Sequence, residues 1–366
     1  MASIKDIAWG VMEKAYLKAS AGGTLPALAR QIMYAARPFI QERAVRNLDD
    51  KYFTQTLLPD YIEAHPEECA RWNVVYDARG RLYEPHTKRE VPLGTLDVRR
   101  YLSDSKPRPV GKPSYDVRAG SYPTHGPKNR YGDILFIEKE GFLPLFAAVR
   151  LAERYDLAIM STKGTSVVAS RKLVDELCSR HGVRLFVLHD FDKAGFSILG
   201  TLRRDTRRYK FANPIEVIDL GMRIGDISGL PVEAANYQGT RQAAELNLRE
   251  NGATEEEIQF LLDQRVELNA FASDELVTWV EKRLAEHGVK KVIPDDATLA
   301  SAYQRASEYA VVQKAINEKL TELRKTMTAA SVPDGLREKI AERLVADSRL
   351  SWDQIVIYIA EDATTS

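Results

Sequence analysis

Apolar positions change their period along the chain, and the changes mark its parts. In TLPALARQIMYAARPFI, Leu28 and Ile32 stand at i and i+4 behind Pro26, which predicts a helix starting near that proline. LDDKYFTQTLLPDYIEAH keeps the helical texture, with an interruption near Pro59. NVVYDARGRLYEP then sets Ala78, Arg79 and Gly80 between two short β-rich runs, the pattern of a hairpin. From Ser103 to Tyr131 periodicity gives way to Pro, Gly and Ser, as in a linker or extended arm. Beyond it the strand-like runs DILFIE, LAIMS, RLFVLHD and PIEVIDL alternate with the helical runs FLPLFAAVRLAERY, SVVASRKLVDELCSRH and GFSILGTLRRDTRRY. Such alternation predicts a mainly parallel sheet covered by helices. After residue 230 the texture is helical and acidic, as in ATEEEIQFLLDQRVELNAF and SDELVTWVEKRLAEHG, where Leu276, Val280 and Leu284 mark a buried face behind Ser273. VKKVIP predicts one more strand, and GLREKIAERLVADSRLSWDQIVIYIAED a packing or oligomerisation helix.

Composition adds bounds. A chain of 366 residues suggests two or three domains. The fold class expected is α/β and α+β. Residues 1–102, helices followed by a hairpin, have the outline of a winged-helix (CAP-like) domain. Residues 103–131 form a basic linker, 132–295 a Rossmann-like parallel-sheet domain, and 296–366 a helical C-terminal extension. Hydrophobic residues make up 44% and charged residues 28%, with no run of eighteen apolar residues to span a bilayer. MASIKDIAWGVMEKAY lacks a secretory core, and Cys69 and Cys178 alone disfavour a disulfide framework or a cysteine zinc site, so a cytoplasmic location is expected. Lys and Arg balance Asp and Glu at 52 each, so any polyanion-binding charge must be local. Arg99 to Arg130 carries eight Lys or Arg against Asp104 and Asp116, as expected of phosphate contacts or equally of a solvated linker. RRDTRRYK, Arg203 to Lys210, is a second basic patch that an exposed helix face explains as well.

The carboxylates carry the candidate chemistry. In HDFDKAG, Asp190 and Asp192 follow an apolar strand, and both can turn towards one ion where the chain leaves its pleat. Magnesium suits such a set, because it prefers hard oxygen ligands and keeps waters for substrate phosphates. Glu138, at the end of ILFIE, faces the pair if the two strands are neighbours. The competing reading is a helix cap, since Asp at a strand-to-helix junction commonly serves the next helix. A haloacid-dehalogenase-type phosphatase also uses D-x-D, but on its first strand and with Thr or Val where Ala194 stands here.

Together ILFIEKEG, STKG and LHDFDKAG resemble the Toprim domain of topoisomerases, primases and some nucleases. More narrowly, EKEGF, TKGTSVVASRKL and DFDKAGFSI resemble the A subunit of type IIB topoisomerases, the topoisomerase VI and Spo11 family. The positions that match are Glu138 with Lys139, Lys163 with Gly164 and Arg171, and Asp190, Asp192 and Gly195; Lys193 replaces the family's usual proline. The resemblance implies a tyrosine nucleophile in the N-terminal domain, following an arginine. RQIMY supplies Arg30 and Tyr34, with Met33 in place of an aromatic residue. On a helix Arg30, Tyr34 and Arg37 share one face. A phenol with a pKa near 10 is a poor nucleophile, so guanidinium charge at Arg30 is expected to favour phenolate. Tyr52 is the second candidate.

The resemblance implies magnesium at Glu138, Asp190 and Asp192, and DNA contacts at Arg37, Lys163 and Arg171. It implies cleavage and rejoining of double-stranded DNA through a 5′-phosphotyrosine, a homodimer in which each tyrosine meets the partner's carboxylates, and a nucleoid location. No P-loop or GHKL glycine-rich motif is present, so ATP is expected to be bound by a separate GHKL ATPase B subunit, or the chain resembles the stand-alone members known as Mini-A. Two rivals remain: a Toprim nuclease of the Wadjet type, which hydrolyses DNA without the tyrosine, and a non-enzymatic winged-helix DNA binder.

Overall fold

The computed structural model describes residues 3–44, 48–76, 81–83, 90–104, 131–161, 168–205, 210–212, 215–326, 332–347 and 350–365. The chain opens with α1 (Ile4–Trp9) and α2 (Met12–Ala19), followed by β1 (Ala27–Leu28) and α3 (Ala29–Gln41). Helix α3 starts three residues after Pro26 because Ala27 and Leu28 are drawn into a parallel pairing with β2 (Val74–Val75). Its interior face, Ile32, Met33, Ala36 and Ile40, packs into a core with Met12, Tyr16, Phe53 and Leu57. Between them α4 (Asp50–Tyr52), one π turn (Phe53–Leu57) and α5 (Leu58–Ala64) run on continuously, so the expected interruption near Pro59 is a widened turn with the proline at the next helical start.

The predicted hairpin is corrected. Val74 and Val75 pair with β1, whereas β3 (Arg81–Tyr83) pairs with β4 (Glu90–Pro92). Both valines are buried, and a hairpin ribbon with one solvated face could hide only alternate residues. Helix α6 (Thr95–Asp104) follows, and the basic stretch from residue 105 to 130 lies outside the described residues.

The alternating part folds as its pattern predicts. Strand β5 (Asp133–Ile137) leads through a short 3-10 turn to α7 (Leu143–Ala148) and α8 (Leu151–Tyr155), then come β6 (Leu157–Ser161), α9 (Val168–His181), β7 (Arg184–Leu188), α10 (Lys193–Arg203) and β8 (Val217–Gly221). All neighbours are parallel, in the order β6-β5-β7-β8. Successive side chains of β5 serve opposite cores: Ile134 and Phe136 pack with Val187, Ile198 and Leu199, while Leu135 and Ile137 pack with Phe186, Phe196 and Leu220. That two-sided burial explains the unbroken apolar runs.

After β8 come β9 (Glu233–Ala234), α11 (Arg241–Glu250), α12 (Glu255–Leu261), β10 (Gln264–Arg265) and α13 (Ser273–Glu286). The helical texture expected over residues 253–271 holds only in its first part: the helix ends near Leu262, and β10 pairs antiparallel with β9 while Val266 bridges to Phe191. VKKVIP is not a strand, since Val292 and Ile293 are exposed and Val292 N–H donates only to the Arg154 carbonyl, at 3.0 Å. These elements up to residue 302 belong to one compact unit, apart from most of β3 and β4.

The described parts of Leu82–Val91 and Tyr303–Ser366 form a second compact unit. It takes in most of α14 (Asp296–Thr326), together with α15 (Leu336–Ala346) and α16 (Trp352–Thr365), two helices where one was predicted. Arg343 holds Asp362 at 3.0 Å between the last two. Among the described residues no helix is long and apolar enough to cross a membrane.

Candidate functional site

The strand order creates a switch point. From β5 the chain moves to β6 on one side and then returns to β7 on the other, so a crevice opens beyond the carboxyl ends of β5 and β7, where open α/β sheets bind ligands. Ile137 lies opposite Leu188 in register, so Glu138 and, two residues beyond Leu188, Asp190 leave neighbouring strand ends close enough for the Asp190 charge to act on Glu138. The D-F-D turn is pinned from several sides. Phe191 N–H donates to the Val266 carbonyl at 2.8 Å, and the Phe191 carbonyl accepts the Val266 N–H at 3.0 Å. Asp190 Oδ1 accepts the Leu268 N–H at 2.8 Å, and its Oδ2 meets Lys139 Nζ at 2.6 Å. Asp192 Oδ1 accepts the Gly195 N–H at 2.7 Å and so caps α10. Beneath the turn, buried His189 lies 2.8 Å from the Asp190 carbonyl through Nδ1 and 3.0 Å from Asp219 Oδ1 through Nε2. Both partners are acceptors, which is satisfied by a doubly protonated ring, and the Asp219 hydrogen bond holds the imidazole above its ordinary pKa against the effect of burial. Burial tends to raise Asp219, but His189 and Arg223 outweigh it and hold that carboxyl well below the carboxylate range.

Negative charge is crowded at the crevice. Burial, and then the Asp190 charge, push Glu138 up to about 7, with Asp192 and Glu267 adding to the effect. Asp192 is raised by the same two causes. Lys139 supplies the countercharge: burial opposes its ionisation, but Asp190 and Glu267 keep it above the ordinary lysine value. Glu138 therefore takes up a proton on folding between its unfolded pKa near 4.5 and its folded value of about 7. Its contribution to stability is present at low pH and is lost as pH rises through 7. Glu138→Gln cannot ionise, so in urea unfolding without divalent cations it is expected to exceed the parent at pH 8 and to match it at pH 5. Equal midpoints at pH 8 would show that Glu138 is not held in a carboxylate-rich site.

Tyr34 projects from α3 into a second charged layer. Its ring lies under the Arg37 guanidinium, 4.8 Å away, and its hydroxyl has no well-formed hydrogen bond. Arg37 pairs with Glu233 at 2.8 Å and with Asp50, while Arg30 pairs with Asp50 at 2.8 Å and with Glu267 at 3.1 Å. Tyr34 is only 2% exposed. Burial, then Glu267 and Glu233, raise its pKa; Arg30 pulls the other way and is outweighed, so the phenol is neutral in this arrangement. Glu267 is the hinge of the layout: 3% exposed, it meets Arg30, and Lys139 at 3.2 Å, thereby joining the Tyr34 helix to the Asp190 crevice.

Sequence reasoning gave no role to Glu267, Glu233 or Arg265. A signal lay in RVELN, where charged residues interrupt an apolar run too short for a helix, but the run was absorbed into the preceding helical pattern. Arg171 is 3% exposed and donates to the Thr201 carbonyl, inside the packing of α9 on α10. Tyr52 is 41% exposed on α4. Lys163 lies outside the described residues, as does part of the Arg203–Lys210 patch. Among the described residues, no three acidic, His or Cys side chains already converge as a metal-ion site.

Comparison with known proteins gives one independent result. Residues 133–287 match the family model for the Toprim domain of Spo11 and the topoisomerase 6 A subunit, a span that begins at β5 and ends just after α13. No curated protein matches the chain. The matched span contains the switch point with Glu138, Asp190 and Asp192, together with Glu267, and it is this part of the chain that is similar to the Toprim domain of Spo11 and the topoisomerase 6 A subunit.

Proposed function

We propose that the protein cleaves and rejoins double-stranded DNA by tyrosine transesterification, with Tyr34 as nucleophile. The observation that carries this reading is the adjacency of Glu138 and Asp190 at the switch point of a Toprim sheet, linked through Lys139, Glu267 and Arg30 to the helix of Tyr34. The chemistry of the residues suits a hard divalent cation: burial, and then the charge of Asp190, raise Glu138 and Asp192, and added positive charge would relieve both. Glu138, Asp190 and Asp192 would hold magnesium, which when bound supplies positive charge for the scissile phosphate. The phenol oxygen of Tyr34 forms a bond to phosphorus, the 3′ oxygen leaves and takes a proton, and the 5′ end stays on the protein. Attack by the 3′ hydroxyl reverses both changes and reseals the strand.

Arg30 neutralises charge on the reacting phosphate once Asp50 and Glu267 release it. Tyr34 is covered in the described arrangement, so DNA must open this layer to reach it, and a resting phenol held neutral protects the protein from idle reaction. Cutting both strands requires two tyrosines and thus a homodimer. A separate GHKL-type ATPase would supply ATP-driven strand passage, and a nucleoid location follows from the substrate.

Supercoiled plasmid with magnesium, quenched in denaturant, tests the reading. Covalent protein–DNA adducts that map to Tyr34 are expected, and Asp190→Ala should remove both nicks and adducts. Cleavage with free 5′ phosphates and no adduct would instead favour hydrolysis by the Toprim carboxylates alone.

A further inference from the structure

The buried Tyr34 phenol must lose its proton as its oxygen bonds to phosphorus, and water does not reach it in the described arrangement. A group of the protein has to take the proton. Burial, and then the carboxylates of Glu267 and Glu233, raise the phenol's pKa, and of the two Glu233 also meets the hydroxyl, in poor hydrogen-bond geometry. Glu267 is engaged elsewhere, with Arg30 at 3.1 Å and Lys139 at 3.2 Å. Glu233 stands on β9 with its side chain 9% exposed, and each of its oxygens faces a guanidinium. Oε1 is 2.8 Å from Arg37, and Oε2 is 2.8 Å from Arg265. Burial tends to raise this carboxyl, but Arg37, the Tyr34 hydroxyl and Arg265 outweigh it and hold the group well below the usual carboxylate range. Glu233 is therefore ionised and able to accept a proton, yet in this clamp it is too weak a base to deprotonate the resting phenol.

We infer that Glu233 is the general base of the cleavage step and that the arriving phosphate switches it on, an assignment that rests on the reading of Tyr34 as nucleophile. Arg37 lies over the Tyr34 ring at 4.8 Å and also clamps Glu233, so a phosphate brought to the phenol competes for the same guanidinium. As Arg37 turns to the phosphate, Glu233 loses a countercharge beside the hydroxyl, and its basicity rises when the proton must move. Tyr34 Oη then bonds to phosphorus while its proton passes to a Glu233 oxygen, and the 3′ oxygen leaves with the bonding electrons and takes a proton from water. On resealing, the bond from phosphorus to Oη breaks and Glu233 returns the proton to Oη. Without a phosphate the clamp stays closed. Base and nucleophile belong to one chain, so this proton transfer is the same whichever subunit supplies Glu138, Asp190 and Asp192.

The test is single-turnover formation of the Tyr34 adduct by full-length Glu233→Gln, which keeps the shape of the side chain but cannot take the proton, with saturating DNA and magnesium across a range of pH. At neutral pH the rate is expected to fall at least about a hundredfold, with DNA affinity nearly unchanged. Hydroxide then becomes the acceptor, so the variant's rate should climb about tenfold per pH unit while the parent's rises far less steeply. Should Glu233→Gln not fold, Glu233→Asp keeps the charge and withdraws it by one methylene; it is expected to lower the neutral rate about tenfold and to steepen the profile in the same sense. A purely structural role lowers the rate equally at every pH, so parallel profiles for variant and parent, or an undiminished rate, overturn the assignment. A parent that cleaves DNA without a Tyr34 adduct retires the nucleophile reading, and the base falls with it; a parent that forms the adduct beside an unaffected Glu233→Gln retires the base alone.

Discussion

Tyr34→Phe is expected to eliminate covalent adducts and to lower DNA cleavage by at least about a thousandfold, the scale on which loss of a nucleophile acts. The same change should leave the fold intact, which makes the comparison clean. The Tyr34 hydroxyl is buried and meets Glu233 only in poor hydrogen-bond geometry, so its removal relieves a desolvation cost and loses only that weak contact. The ring stays, and with it the Arg37 contact at 4.8 Å. Unfolding free energy should remain within about 1 kcal/mol of the parent by urea titration. Undiminished cleavage by the Phe variant would remove Tyr34 from the mechanism and leave hydrolysis by the carboxylates. Exposed Tyr52 would regain interest only if adducts persisted in that variant and mapped to it.

Gly195→Ala should be among the most damaging single substitutions in the Toprim domain. A methyl group there would stand 2.2 Å from the Asp190 carbonyl oxygen and 2.7 Å from His189 Nδ1. Neither neighbour can move freely: the carbonyl belongs to the pinned D-F-D turn, and His189 is held on its far side by Asp219. Alanine improves helix propensity by about 1 kcal/mol, but the overlap costs about 3 kcal/mol, so the steric effect decides the sign. Urea unfolding should show a large loss of stability, and any protein that folds should lose magnesium-dependent cleavage because Asp190 is displaced. A variant as stable as the parent would mean that α10 can slide away from the turn.

The parallel sheet is legible in the sequence because its strands are buried on both faces. DILFI and RLFVL have no polar residue inside the run, and the charged residues that end them, Glu138 and Asp190, mark where the chain leaves the core. Their adjacency needed only the order of two strands, which the structure supplies. Asp192 as a cap was equally readable, since its role is local. The β pairing of Val74 and Val75 was not, because a two-residue run has no period and its partner Ala27–Leu28 lies far back in sequence. Glu267 was hidden for a related reason: its environment is made by Arg30 and Lys139, residues more than a hundred positions away. The neutral state of Tyr34 was missed because the nearby arginine is visible in RQIMY, whereas Glu233 and Glu267 reach the phenol only through the fold.

The seam between α3 and the Toprim sheet bears on how the chain can be dissected. Gln31 Nε2 donates to the Phe271 carbonyl at 2.9 Å, and Ser273 Oγ donates to the Pro26 carbonyl at 2.7 Å, both in buried surroundings. The segment that fastens the N-terminal helices is thus the one that presents Glu267 and bonds Asp190. A Toprim fragment cut free after residue 130 would expose this seam and loosen the turn it supports, so the basic stretch that divides the chain in sequence is a poor place to truncate it.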